Sequence, residues 1–134
     1  MASYTTNYGL HQWEATDNFL RTDFNTDFGK IDGALGSKAE LVTGAYIGDG
    51  TASRTINLGF QPKAVYLCTR NGLAGMASGT YYIYGGLALT GKPLVMENGH
   101  EVAMELTNTG FQLTYAPYRQ VNVDGWSYYY VAMR

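Results

Sequence analysis

Charge is scarce in this sequence. Asp, Glu, Lys and Arg make up 15% of the 134 residues, well under the usual quarter, and the formal net charge is −2. The nine basic side chains are scattered with no run of three. The clustered cations that displace counterions from nucleic acid are therefore missing, which excludes a nucleic-acid groove. There is a single cysteine, Cys68, so no internal disulfide can form. It falls in the apolar run Ala64-Val65-Tyr66-Leu67-Cys68, where a thiol acts as a small hydrophobe. Histidine occurs twice, at His11 and His100, and no H-x-x-x-H or C-x-x-C pair supplies a zinc ligand set. A G-x-S-x-G elbow is absent, and the glycine-rich stretch 72–79 lacks the lysine and following helix of a phosphate cradle. No apolar run approaches the roughly 20 residues of a membrane span. Residues 1–10 lack the basic and apolar regions of a secretory signal. These absences predict a non-enzymatic protein without metal or cofactor, made in a reducing cytoplasm and not inserted into a membrane.

Two carboxylates can cleave a glycosidic bond, and Glu97, Glu101 and Glu105 are close in sequence. Glu101 and Glu105, however, alternate with apolar neighbours, the pattern of a solvated outer strand face.

What the chain does have is apolar content of 46%, 17 glycines and 12 tyrosines. That is enough apolar mass for one core without staples. Glycine supplies positive-φ turn positions, and tyrosine suits half-buried strands with one polar end. A surface rich in Tyr, Asn, Thr and Gly suits polar, uncharged ligands.

The chain divides near residue 40, into an N-terminal arm and helical oligomerisation stem (1–40) and a β-sandwich head (41–134). Residues 1–16 read as an extended arm that docks on partner chains or a larger assembly. Asp17 is the expected N-cap. From there Phe24, Phe28, Ile31 and Leu35 follow at spacings of four, three and four, the seam of a coiled coil, and Gly36 supplies a stop. Gly29 and Gly33 leave a helix over 17–35 marginal by itself. Phenylalanines at seam positions favour a wider bundle than a dimer, so a homotrimer is expected.

Beyond residue 41 the signals are those of seven or eight antiparallel strands. Ile56, Leu58 and Phe60 share one face. Residues 63–69 are apolar on both faces, as in a central strand between two layers, and 73–80 reads as a loop. A hairpin turning at Asn98-Gly99 points Val102, Met104 and Leu106 inward, with Glu101, Ala103 and Glu105 outward. In the terminal strand, Tyr129, Val131 and Met133 form the smaller apolar set and are assigned to the core. Trp126, Tyr128 and Tyr130 then line an exposed aromatic strip. Together with Tyr115, Tyr118, Arg119, Asn122 and Asp124 from the preceding loop, they are the candidate ligand-binding residues. Rings in such a strip stack on the C–H faces of sugars while Asn, Asp and Arg bind hydroxyls. The other reading of the same residues puts these aromatics in the core or between subunits.

The segments Asn7-Tyr8-Gly9-Leu10 with Trp13, Asp23-Phe24-Asn25-Thr26-Asp27-Phe28 and Ile31-Asp32-Gly33-Ala34-Leu35 resemble the start of short tail-fibre, receptor-binding proteins of phages and prophages of Gram-positive bacteria. Thr43-Gly44-Ala45-Tyr46-Ile47-Gly48-Asp49-Gly50 and Arg54-Thr55-Ile56-Asn57-Leu58-Gly59-Phe60-Gln61-Pro62-Lys63-Ala64-Val65 resemble a segment of tail-fibre tips. Gly110-Phe111 followed by Asn122-x-x-Gly125-x-x-Tyr128-x-Tyr130-x-Ala132 is similar to their closing motif, and to the H-type lectins, trimeric β-sandwiches that bind glycans. A recognisable set of lectin sugar ligands is missing, so no binding residue carries over. The resemblance implies a trimeric fibre tip in the virion tail, its arm joined to other tail or baseplate proteins and its head meeting a host surface glycan. The competing implication is a purely structural tail or baseplate component with its aromatics buried between subunits.

Overall fold

The computed structural model describes residues 3–78, 80–97 and 99–134. The protein is mainly β and antiparallel, and it divides into two compact units, Met1–Ala39 and Glu40–Arg134.

In the first unit a short hairpin of β1 (Ser3–Tyr4) and β2 (His11–Gln12) precedes helix α1 (Arg21–Gly36). The helix starts three residues later than Asp17 as N-cap would place it. Asp17 is occupied in a turn, where its carboxylate accepts the Glu14 N–H at 3.0 Å and its own N–H donates to the Glu14 carbonyl. Leu20 is the N-cap, with no side-chain cap bond. At the other end the Ser37 N–H reaches the Gly33 carbonyl and its hydroxyl the Ala34 carbonyl, closing the helix directly after Gly36.

The arm is not extended. It folds back on α1 because Asp27, the helix's one buried residue among those described, accepts the His11 N–H at 2.7 Å and faces His11 Nδ1 at 3.0 Å. Lys30 Nζ donates to the Gly9 carbonyl and lies 3.4 Å from Asp27. The expected seam residues Phe24, Phe28, Ile31 and Leu35 all remain exposed, Leu35 most at 67%.

The second unit is built on two four-stranded sheets that share one core. One has the order β4 (Ser53–Asn57), β11 (Gly110–Thr114), β10 (Val102–Thr107), β9 (Leu94–Val95). The other runs β3 (Leu41–Ile47), β12 (Ser127–Met133), β5 (Ala64–Thr69), β8 (Gly86–Leu89). Met104, Phe111 and Leu113 of the first sheet and Val65, Leu67, Tyr128 and Ala132 of the second are fully buried. The Phe111 ring meets Tyr130 edge-on at 5.2 Å. The Val, Leu, Met and Phe side chains among these contribute about 1.5–3 kcal/mol each on removal from water. Ile56, Leu58 and Phe60 pack against this core as expected.

Three local expectations are corrected. The stretch 73–80 is not a loop: β6 (Gly75–Ser78) pairs with β7 (Thr80–Ile83). Gly75 pairs with Ile83, and a Cβ there would lie 2.8 Å from the Tyr81 hydroxyl, the far end of a movable side chain. Gly79 lies outside the described residues, as does Asn98 of the expected turn before β10. Ala103 is buried rather than outward, because the β9–β10 register shifts between Val102 and Met104 and a bulge re-aims the intervening residue.

The third correction concerns β12, whose faces are the reverse of those expected. Tyr128 and Ala132 are core and Tyr130 packs against it, while Tyr129, Val131 and Met133 are exposed. Tyrosine can point inward here because segment 116–125 covers its end of the core and accepts its hydroxyl. Tyr128 Oη donates to the Gln120 carbonyl at 2.6 Å and accepts the Val123 N–H at 3.1 Å. Tyr46 stacks on Tyr128 at 4.9 Å and donates to the Val121 carbonyl. The expectation for β5, a strand covered on both faces between two layers, is corrected as well. It is a central strand of its sheet, but its outer face is open, with Tyr66 45% exposed.

Candidate functional site

The residues at the end of β5 are locked before they reach any ligand. Gly72 donates to the Thr69 carbonyl and Thr69 to the Leu73 carbonyl, while the Arg70 N–H is held by the Ser127 carbonyl at 2.8 Å. The Thr69 hydroxyl bonds the Asn71 side chain and the Leu73 backbone. Arg70 and Asn71 thus project from a fixed turn, with both side chains exposed.

Trp126 approaches the same place from the other end of the chain. Its carbonyl accepts the Gly48 N–H at 2.7 Å, and its N–H donates to the Val123 carbonyl. The loops 48–51 and 122–126 are zipped together at this point. Gly48 permits it, since a Cβ there would lie 1.9 Å from the Val123 oxygen. The Trp126 ring stacks on Tyr84 with centroids 5.9 Å apart and planes only 6° from parallel. Tyr84 is buried, whereas Trp126 is 45% exposed. The stack therefore presents one indole face on a rigid backing. Tyr82 lies 6.3 Å beyond Tyr84, and Tyr118 5.7 Å from Tyr82, extending the row to four rings.

Between these parts lies a cleft of about 560 Å³, lined by Thr69, Arg70, Asn71, Leu73, Met76, Tyr84, Trp126 and Ser127. Arg70 is the one charged side chain in that lining. Leu73 and Met76 supply apolar surface, and Arg70, Asn71 and Ser127 supply hydrogen-bonding groups. A largely apolar wall with a few fixed polar groups is the general composition of a small-molecule site. A flat indole backed by a second ring suits the C–H face of a pyranose, while a guanidinium and an amide can bind its hydroxyls.

Of the sequence-derived candidates, the structure brings Trp126 into the cleft and Tyr118 into the adjoining aromatic row. Tyr128 and Tyr130 belong to the core. Asn122 is 1% exposed and serves as a latch between loops: its amide donates to Asp49 at 2.6 Å and to the Thr51 carbonyl at 3.0 Å. Asp49 carries an ion pair with Arg54 at 3.5 Å. Hydrogen bonds from the Thr51 hydroxyl, the Asn122 amide and the Thr51 N–H hold the Asp49 carboxyl down at about 2. Arg119 is committed to the Val102 carbonyl at 2.9 Å. Tyr115 is half-buried and Asp124 exposed, and neither lines the cleft. Glu97, Glu101 and Glu105 are all exposed. Sequence reasoning missed Arg70, Asn71 and Tyr84. The signals were present in Asn71-Gly72, a turn pair directly after β5, and in Tyr84 directly before Gly85-Gly86.

No protein-family profile, curated protein or solved structure matches the chain.

Proposed function

We propose that this chain is a receptor-binding protein at the tip of a phage or prophage tail fibre, acting as a homotrimer whose β-sandwich head recognises a host cell-surface glycan. The observation that carries the reading is the exposed Trp126 ring stacked on buried Tyr84 beside Arg70 and Asn71. The exposed apolar stripe of α1 supports a stem that pairs with like helices, and the N-terminal unit is the part that would join other tail or baseplate proteins in the virion. Weak single sites multiplied over three heads give avidity without a deep pocket.

A second reading, a purely structural component with aromatics buried between subunits, is favoured by a different observation: Tyr66 and Tyr129 stand exposed on one open sheet face. The two readings concern different surfaces. A glycan array of host envelope polysaccharides tests the first directly. Binding that disappears in Trp126→Ala and weakens in Arg70→Ala, with the oligomer intact, supports the adhesin; no binding to any envelope material would favour the structural component.

A further inference from the structure

We propose that the outer face of the sheet β3–β12–β5–β8 is a self-association surface, covered in the working protein by a further copy of this chain. This goes beyond the reading above, because it places the main contact between copies on the β unit and not on α1, and it does not depend on what the cleft binds.

An antiparallel sheet with one face on the core normally turns a polar face to water. Here the second face is apolar as well. Across the four strands, register places Val131 between Thr43 and Tyr66, and Tyr66 in turn beside Leu87. Tyr129 lies between Ala45 and Cys68, and Met133 between Leu41 and Ala64. Thr43, Ser127 and the hydroxyls of Tyr66 and Tyr129 are the polar groups of this face, Ser127 lying at its border with the cleft, and no charged residue stands among the described residues paired across it. Val131 and Met133 are 39% and 37% exposed, Leu87 54%, and Leu41 and Ile47 63% each.

With Tyr66, Tyr129 and Leu89, eight large apolar residues at least 37% exposed share this face, a patch on the order of several hundred Å², the size that marks an interaction site and that approaches the roughly 800 Å² one partner contributes to a stable interface. The relief offers both a hollow and projections. A groove of about 410 Å³ runs between Tyr66 and Tyr129, floored by small residues including Ala45 and Cys68. Leu41, Ile47 and Leu87 project elsewhere on the same face. A protruding side chain of one copy can enter the groove of the next, an arrangement that closes into a ring when the rotation permits. A face without charge offers a heterologous partner no ion pair to read, yet suits burial against its own like at little desolvation cost.

Sedimentation velocity of the full chain across a range of micromolar concentrations tests this. Wild type should be oligomeric. Val131→Asp at the centre of the face, or Leu87→Lys on strand β8, should weaken association at least 100-fold while the far-ultraviolet spectrum of a folded β protein persists. Two differently placed variants guard against a single one that fails to fold. Phe28→Asp on α1 should leave association through the head measurable. A monomeric wild type, or an oligomer untouched by both face variants and abolished by Phe28→Asp, would overturn the proposal. In the first case the face belongs to another protein or to a ligand. Glycan binding per chain by Val131→Asp, retained or lost, reports on the cleft separately.

Discussion

Tyr46, Asn122 and Tyr128 show how polar groups can specify a core. Burial pushes the Tyr46 hydroxyl well above its ordinary range, with Tyr128 beside it adding to the shift and Arg54 opposing it, so both rings act as neutral donors to backbone carbonyls of 116–125. Tyr128→Phe removes one hydroxyl and leaves the Gln120 carbonyl and Val123 N–H unpaired, at a cost of about 1–3 kcal/mol. In a domain of this size each kcal/mol lowers Tm by roughly 4–8 °C, so differential scanning calorimetry should register the change clearly. Asp49 gives a pH signature. Its folded pKa, about 2, lies below the unfolded 3.8, so its contribution is complete above 3.8 and is lost as pH falls through about 2. Tm measured from pH 5 to 2 should fall more steeply in wild type than in Asp49→Asn, and parallel curves would show that the latch contributes nothing. None of these roles could be read from residue type. An Asn in a loop and a Tyr in an alternating strand are equally compatible with ligand binding and with a latch, and only the partner atoms decide, 73 positions away for Asn122 and 75 for Tyr46 but 8 for Tyr128.

At the level of elements, the alternation of the strands was legible but its direction was not. In β12 both faces are apolar, so a pattern with period two fixes which residues go together and leaves open which set is inside. Tyr128 went inward because 116–125 satisfies its hydroxyl, and the rest of its face follows. Helix α1 was legible from its apolar spacing, but its start was not, because Asp17 closes a turn of its own. Nor was the role of Asp27 visible. Burial by itself would raise its carboxyl, but the His11 N–H and ring, together with Lys30, outweigh that and lower it, tying hairpin to helix. Asp27→Ala should therefore release β1 and β2. Hydrogen exchange at residues 3–12 is expected to accelerate roughly tenfold or more, with amides of β10 and β11 unchanged. Unaltered exchange at 3–12 would mean that the aromatic contacts His11–Trp13 and Tyr4–His11 suffice to hold the hairpin.

For the molecule as a whole, composition pointed correctly to a β-rich protein, since glycine, tyrosine and short alternating runs reflect local turn and strand chemistry. The site was less accessible. Its walls come from 69–73, Met76, Tyr84 and 126–127, segments joined by a sheet order that places β12 beside β5 and by the β6–β7 hairpin, after which the Tyr84 N–H donates to the Ala74 carbonyl. Trp126 was recognised because an indole in a terminal strand is conspicuous; its partner Tyr84 was one tyrosine among twelve. In the proposals above two surfaces divide two tasks: a cleft at the Trp126–Tyr84 stack for the ligand, and an uncharged sheet face for other copies. The most direct test of the first, central assignment is calorimetric titration of purified host envelope polysaccharide into wild type, Trp126→Ala and Tyr129→Ala. Saturable binding that is lost in Trp126→Ala and retained per chain in Tyr129→Ala is the predicted result. Equal binding by wild type and Trp126→Ala, or binding removed only by Tyr129→Ala, would contradict it.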